Sequence, residues 1–336
     1  MKLARAFWLI ILSCYLILSP GRSFILAGVP EPDNQDSPLP AVTSSQPVKI
    51  SGFAQLVYTG QKDPVDTFSV RRARLSLEAR ILKKLNFKVQ SDLTRSPVLL
   101  DALAEVLLAE KFNLRAGQFL VPFSLESTTS AGRLLTVNRS RAVDLLAPGR
   151  DNGAAGRDLG LAIFGRFSIF QYTLGLVNGA GINKKDDNSH KDFAGRLLAS
   201  PGGGLNLGIS VYKGRKFDTA ASTNLTRNRL GLEVSWDWRL FHLRAEYIEA
   251  RDDLAEKFGW YVLSAFDLKP DRYQLVLRAE AFRPDRNLPG QRTEVYTAGA
   301  NWLLNPASKL QANFEYHRQE TGPGHSVLLL HLQVGF

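Results

Sequence analysis

Arginine is the residue type whose positions in this chain most clearly suggest chemistry. Arg72, Arg74 and Arg80 alternate with apolar residues in one short segment, and Arg115 stands between two apolar residues in another. A guanidinium group stays charged at any relevant pH, and its planar fork binds phosphate or carboxylate through two hydrogen bonds. A row of such groups beside water would attract small anions. These four arginines are therefore candidate anion-binding residues.

The interval 122–157 contains a second group of arginines and no lysine. Its members are Arg133, Arg139, Arg141, Arg150 and Arg157. Glu126, Asp144 and Asp151 lie in the same interval. Two interpretations follow: the arginines face passing anions, or they pair with these acids and hold the shape of the interval, since arginine–carboxylate pairs commonly organise loops. The sequence leaves both open.

No catalytic or metal-binding pattern accompanies these arginines. The five histidines lack a metal-ligand spacing such as His-x-x-x-His, and they are His190, His242, His317, His325 and His331. The single cysteine, Cys14, lies near the N-terminus. The remaining chain has no thiol for a disulfide, a zinc–thiolate site or a nucleophile. We therefore expect no cofactor, no bound metal and no enzymatic activity.

The segments that carry the candidate residues have a period of two. From Ala73 to Ile81, alanine, leucine and isoleucine alternate with arginine, serine and glutamate. Successive side chains of a β-strand point to opposite faces, so one face of such a strand is apolar and the other charged. The same alternation returns in 85–93, 272–281 and 309–317. The pattern predicts amphipathic strands.

Sixteen segments of this kind follow one another, each about as long as a tilted strand that crosses a membrane. They are 48–59, 67–81, 85–94, 98–109, 112–121, 158–167, 170–180, 191–200, 204–214, 226–238, 240–251, 256–268, 271–283, 293–304, 308–318 and 325–336.

The connections between these segments alternate between tight turns and mostly longer, more polar stretches. Lys83-Lys84 and Glu110-Lys111 exemplify the tight set, and 181–190 and 284–292 the longer set. Membrane barrels show this alternation, with short periplasmic turns and long external loops. A soluble β-sandwich would also alternate, with its apolar face inside. We predict an all-β, transmembrane, antiparallel β-barrel with both termini in the periplasm.

The N-terminus has the organisation of an exported protein. Lys2 and Arg5 precede an apolar stretch of suitable length, and small residues near 23 and 27 offer cleavage sites. We expect a signal peptide over 1–27, a flexible periplasmic leader over the Pro- and Ser-rich residues 28–47, and a barrel domain over 48–336. Export argues against nucleic acid as the partner of a chain with formal net charge +10 and favours small anions.

The C-terminus and several aromatic residues suit insertion in a membrane. The last segment places Leu330, Leu332, Val334 and Phe336 on one apolar face. A terminal phenylalanine on the lipid side looks like the signal that outer-membrane assembly machinery recognises. Aromatic residues near predicted strand ends, such as Trp236 and Trp260, would form interfacial girdles.

Several motifs resemble the phosphate-selective porin O and P family. They are Phe68-Ser69-Val70-Arg71-Arg72-Ala73-Arg74-Leu75, Leu114-Arg115-Ala116-Gly117-Gln118-Phe119, Pro122-Phe123-Ser124-Leu125-Glu126, Val177-Asn178-Gly179 and Ala298-Gly299-Ala300-Asn301-Trp302-Leu303-Leu304-Asn305. The resemblance implies a sixteen-stranded, homotrimeric porin of the bacterial outer membrane. It also implies a basic channel and an inward-folded third external loop.

The chain departs from the family pattern at two places. Leu120 follows the Gly-Gln-Phe triplet where the family usually has lysine, and Asn138-Arg139 stands where the third loop often carries a Glu-Arg pair. The first change removes a cation near the expected constriction. We therefore expect passive diffusion of small solutes with an anion preference, and phosphate specificity stays open. The alternatives are a barrel hydrolase with a Ser–His–Asp cluster at its rim and a non-conducting structural or adhesive barrel.

Overall fold

The structure is a computed structural model, and it describes residues 48–61, 65–218 and 222–336. These residues form one closed barrel in which each strand pairs antiparallel with its sequence neighbours and β1 closes on β16. The predicted sixteen-stranded barrel is confirmed. The described part contains no helix that is long and apolar enough to cross a membrane. The expected signal peptide and leader lie outside the described residues.

Each strand overlaps one predicted segment, and the largest difference is at the end of β9, which continues to Asp218 beyond the predicted residue 214. The strands are β1 (Lys49–Gln61), β2 (Thr67–Leu82), β3 (Leu85–Asp92), β4 (Leu99–Ala109), β5 (Phe112–Leu120), β6 (Arg157–Phe167), β7 (Phe170–Val177), β8 (Asp192–Gly202), β9 (Leu205–Asp218), β10 (Thr223–Trp238), β11 (Phe241–Asp252), β12 (Ala255–Lys269), β13 (Tyr273–Arg283), β14 (Thr293–Asn305), β15 (Ser308–Gln319) and β16 (His325–Gly335).

The burial of alternate residues decides between a membrane barrel and a soluble sandwich. On β15, Asn313 is 0% exposed and Glu315 is 2% exposed, whereas Phe314 between them is 51% exposed. Polar side chains therefore point into the barrel and apolar ones point out. A soluble sandwich would bury the opposite set, so the barrel presents its apolar face to lipid.

The connections sort into two ends of the barrel. Turns such as Lys83-Lys84 and Glu110-Lys111 lie at one end. The first residues of β1 and the residue that follows β16 lie at the same end, where Gly52 and Phe336 exchange backbone hydrogen bonds. We call this the tight-turn end. The opposite end carries the longer connections, although the β11–β12 connection there is only Asp253-Leu254. Its third connection, residues 121–156, is much the longest and is called the long segment below.

The long segment contains three short helical turns. They are α1 (Leu125–Thr128), a 3₁₀ turn (Ala131–Arg133) and α2 (Arg141–Leu146). Ser124 and Ser140 begin α1 and α2, and each side chain accepts a hydrogen bond from the backbone N–H three residues later. Such caps satisfy donors that a helix start leaves free. Arg157, which the sequence placed at the end of this segment, instead begins β6.

Candidate functional site

The long segment lies along the polar faces of the later strands. The Val137 N–H donates to Asn313 Oδ1 on β15 over 2.7 Å. Asn301 on β14 donates to the Leu135 carbonyl over 2.9 Å, and Lys309 on β15 donates to the Leu134 carbonyl over 2.5 Å. Since these strand residues are buried on the inner face, their bonds satisfy the backbone of the segment inside the barrel.

Two glycines let the segment approach the wall closely. A Cβ atom on Gly259 of β12 would lie 2.7 Å from Ala142 Cβ, and one on Gly231 of β10 would lie 3.0 Å from the Phe123 ring. A side chain at position 259 would push against the backbone of the segment, and one at position 231 would require the Phe123 ring to shift. Phe123 and Val143 also belong to a buried apolar cluster that includes Ile248 of β11. Packing and hydrogen bonds therefore act together on this side of the barrel.

A buried arginine surrounded by carboxylates anchors the centre of the segment. Arg278 of β13 has a side chain only 1% exposed and lies 3.0 Å from Glu280, 3.8 Å from Glu315 and 3.9 Å from Glu126. It also donates to Thr136 Oγ1 over 2.9 Å. A buried cation needs such partners, because an unpaired charge away from water is very costly. Arg278 thus connects the wall to the segment at several points.

A set of hydrogen bonds and a set of ion pairs fix the two ends of the segment. Glu246 of β11 accepts hydrogen bonds from the Leu125 and Glu126 N–H groups over 3.0 and 2.7 Å. Asp151 lies 2.5 Å from Arg227 and 2.8 Å from Arg229, both on β10. The polar face of β10–β15 therefore binds the segment from α1 to its C-terminal part.

The candidate arginines of the long segment have different surroundings. Arg139 is buried and donates to the carbonyls of Glu126 and Thr129, and Arg150 donates to Ser127 and lies 3.6 Å from Asp144. These two hold the shape of the segment. Arg141 is half-buried, and Arg133 is exposed, with no side-chain partner among the described residues.

The candidate arginines on the strands are mostly paired. Arg74 lies 2.9 Å from Asp92, Arg115 lies 2.8 Å from Glu105, and Arg157 lies 2.6 Å from Asp101. Asp92 and Glu105 come from the strand next to their arginine, whereas Asp101 lies on β4, two strands from Arg157 on β6. Neutralised pairs exert a weaker field on a passing ion than free charges do. These three arginines therefore contribute less net charge than their number suggests.

Arg72 and Arg80 have no carboxylate partner within the described residues. Arg72 donates to Gln55 Oε1 over 2.8 Å, and Arg80 is exposed on the charged face near the tight-turn end. Neither has a carboxylate within salt-bridge distance in the part of the chain that the structure describes. Both share the polar, inward-facing side of β2 with Arg74.

The sequence reasoning missed Arg71, which a β-bulge turns inward. Gln55 pairs with Arg72 but the next residue, Leu56, pairs with Val70, so Arg71 has no partner in register. Arg71 lies within electrostatic reach of Asp144 on the long segment and of Glu315 on β15. It also lies beside Arg72. Strict alternation would have placed Arg71 outside, and no local signal marks the bulge.

Other lumen ion pairs could have been read from the alternation but were not selected. Arg196 of β8 pairs with Glu233 of β10 over 2.5 Å, and Arg229 of β10 pairs with Asp252 over 2.6 Å. Their side chains belong to the polar faces of their strands. The signal that identifies them is the period of two, applied to every strand.

Two cavities lie beside Arg115 and Leu120. One of about 470 Å³ is lined by Glu78, Arg80, Lys88, Glu105, Arg115 and Leu120. A second of about 180 Å³ is lined by Arg115, Leu120, Pro122, Thr128 and Arg196. Leu120, where the family usually has lysine, therefore borders both cavities beside Arg115.

Acidic side chains, and no serine hydroxyl, are the contacts of two histidines that the structure describes. His242 directs one ring nitrogen to Asp237 and the other to Asp267, and His317 contacts Glu315. Neither contacts a serine hydroxyl within the described ranges. Across the same residues, no group of three or more His, Cys, Asp or Glu side chains could hold a metal ion.

Comparisons with known proteins agree with this architecture. The family model described as phosphate-selective porin O and P matches residues 50–235 and 210–325. No curated protein sequence matches the chain.

Three solved structures illustrate the structural similarity. An anion-selective porin from Comamonas acidovorans is 12% identical with a TM-score of 0.66, covering 87% of this chain and 100% of that chain. The trimer form of OmpT from Vibrio cholerae is 10% identical with a TM-score of 0.66, covering 87% and 100%. The channel DcaP of Acinetobacter baumannii is 10% identical with a TM-score of 0.66, covering 87% and 97%.

Proposed function

Since the chain belongs to the phosphate-selective porin O and P family and is an outer-membrane channel, we propose that its water-filled lumen passes small solutes passively and prefers anions. The observation that carries the proposal is the pair Arg71 and Arg72, two inward-facing cations without a carboxylate in salt-bridge range among the described residues. Cations beside the ion path lower the energy of an anion relative to a cation. Arg80 and Arg133 extend this field, and the paired arginines add little.

We propose that the long segment is the constriction of this channel. Its bonds to β10–β15 support a position inside the barrel, which leaves the ion path between the segment and the wall of β2–β8. On that path Arg71 and Arg72 face Asp144, whose side chain is 48% exposed. The anion path thus passes more cations than acids.

We also propose the domain division that the sequence suggests. Residues 1–27 would be removed on export, 28–47 would form a periplasmic leader, and the barrel would occupy 48–336. N-terminal sequencing of the mature protein checks the boundary, and a first residue within the barrel would contradict it.

Replacing Leu120 by lysine is expected to increase anion selectivity. Leu120 borders both lumen cavities beside Arg115, so the new ammonium group would add a cation to the path. The reversal potential in a KCl gradient measures the change, and Leu120→Met is the uncharged control. Normal assembly with an unchanged reversal potential would place residue 120 away from the ion path.

Single-channel conductance in a planar bilayer tests the function itself. A porin conducts in discrete steps, whereas a structural or adhesive barrel with a closed lumen does not. We expect no catalysis and no cofactor, and small anions are the proposed solutes. A folded protein that fails to conduct contradicts it.

We propose that the protein assembles as a homotrimer. The support is the family resemblance and the trimer form of the structurally similar OmpT. Light scattering in mild detergent should give a protein mass near three times that of one chain. A monodisperse single-chain particle would contradict the trimer and would leave the proposed channel function unaffected.

A further inference from the structure

A row of polar residues crosses the outer wall of the barrel on four adjacent strands. Lys213 of β9 pairs with Asn228 of β10, Asn228 pairs with Arg251 of β11, and Arg251 pairs with Glu256 of β12. Residues directly opposite across an antiparallel pair have their side chains on the same face. Their sequence neighbours Tyr212, Arg229 and Ala250 are buried on the inner side, so this row faces outward.

Apart from Glu249, the wall beneath this row is apolar. The next row toward the tight-turn end is Val211, Leu230, Glu249 and Phe258, followed by Ile209, Leu232, Tyr247 and Trp260. A third row holds Leu207, Val234, Ala245 and Val262. Aromatic residues at such a boundary mark the membrane interface of a barrel. In an outer-membrane porin the tight turns are periplasmic, so the polar row lies at the headgroup level of the outer leaflet.

Five cations line a groove of about 410 Å³ at this level; Arg229 and Lys257 pair with Asp252, and the other three face outward. These three are Lys213, Arg251 and Arg286, the last from the β13–β14 connection. Arg286 is held in place because it donates to Tyr247 Oη and Glu249 Oε1, both over 2.6 Å, and lies over the Phe258 ring at 4.7 Å. It thereby neutralises Glu249.

Lys213 and Arg251 have donors left for a ligand. Lys213 is exposed and has no ion pair among the residues that the structure describes. Arg251 is also exposed, and within the described residues its guanidinium donates only through Nε, to the Asp253 carbonyl over 3.1 Å. Glu256 lies at the β12 end of the row, so Asn228 and Arg251 separate it from Lys213. The centre of the groove is therefore cationic, with apolar side chains directly below it.

We propose that this groove binds the phosphate of an outer-leaflet lipid headgroup, between Lys213, Asn228 and Arg251. The acyl chains of that lipid lie along Val211, Leu230 and Leu232. A cationic rim above an apolar wall matches a molecule that is charged at one end and apolar at the other, and basic pockets on membrane proteins bind lipid headgroups in this way. A free anion would use the rim alone. The proposed lipid site is separate from the lumen. We infer it from the outer-membrane location and not from the anion preference of the channel.

The test compares Lys213→Glu/Arg251→Glu with a matched control, Lys83→Glu/Lys84→Glu, which changes two exposed lysines in a tight turn. Phosphatidic acid is added to the purified full-length protein in detergent, and native mass spectrometry measures the lipid adducts. Diacylglycerol with the same chains reports on the apolar wall alone. Inorganic phosphate in excess serves as a competitor.

Wild type and control are expected to bind phosphatidic acid equally, and the groove variant about tenfold more weakly, because two charge-assisted contacts become repulsive. Diacylglycerol should bind weakly and equally to all three proteins. Equal phosphatidic acid binding by wild type and groove variant would overturn the site. Displacement by inorganic phosphate would overturn its assignment to a lipid. If the groove variant does not fold, Lys213→Gln/Arg251→Gln takes its place with the same outcomes. None of these results affects the reversal potential that tests the channel.

Discussion

Reversing the charges of Arg71 and Arg72 together is expected to turn the channel from anion-preferring to cation-preferring. The double change Arg71→Glu/Arg72→Glu removes two cations that have no carboxylate within salt-bridge distance in the described chain and replaces them with two anions. Salt screens such charges beyond about 8 Å at physiological ionic strength, so the effect should be largest at low salt. The reversal potential across a KCl gradient should change sign.

The paired arginines provide the matched control. Arg115 and Glu105 lie 2.8 Å apart, so Arg115→Gln/Glu105→Gln removes both charges and leaves the net charge of the lumen unchanged. Its reversal potential should stay close to the wild-type value. If the Arg71/Arg72 variant conducts with the wild-type reversal potential, these two residues do not line the path and the anion assignment is wrong.

The structure also explains why Arg74 and Arg115 are poor targets for charge reversal. The alternation alone groups them with Arg72 as equivalent lumen cations. Glutamate at either place would face Asp92 or Glu105, which now lie within 3 Å of the arginines. Like charges directly opposite on neighbouring strands destabilise the pair. Loss of assembly there would say nothing about selectivity.

Removing the side chain of Arg278 should produce the largest loss of stability. Arg278→Ala leaves Glu126, Glu280 and Glu315 close together inside the barrel without their shared cation. Breaking a buried ionic group in this way costs about 3–5 kcal/mol. The free energy of unfolding, measured by denaturant titration and by the heat-induced shift in gel mobility, should fall accordingly. The long segment should also become mobile and make the conductance noisier.

An exposed ion pair gives the comparison. Arg283 lies 3.0 Å from Glu320, with side chains 22% and 35% exposed, and Arg283→Ala should cost at most about 1 kcal/mol. Equal losses for Arg278→Ala and Arg283→Ala would mean that Arg278 does not anchor the segment. A stable Arg278→Ala barrel with quiet, wild-type conductance would lead to the same conclusion.

The local pattern of residues determined most of the barrel. A period of two in hydropathy assigns each side chain of β2 or β15 to one of two faces, and this needs only neighbouring residues. Tight turns such as Lys83-Lys84 were recognisable because they interrupt that period between two amphipathic runs. The assignment of Arg72, Arg74 and Arg115 to the charged face rests on the same local signal.

The tertiary structure alone decided which of these charges are free. Arg157 meets Asp101 from β4, and Val137 meets Asn313 from β15, far away along the chain. Such partners depend on the register of the strands and on the position of the long segment. No local periodicity in the sequence encodes either of them. The bulge that turns Arg71 inward is a mismatch between two strands, so it exists only once they are paired. Sequence alone therefore assigns a side chain to the lumen, whereas pairing across the barrel determines whether its charge remains available to a solute.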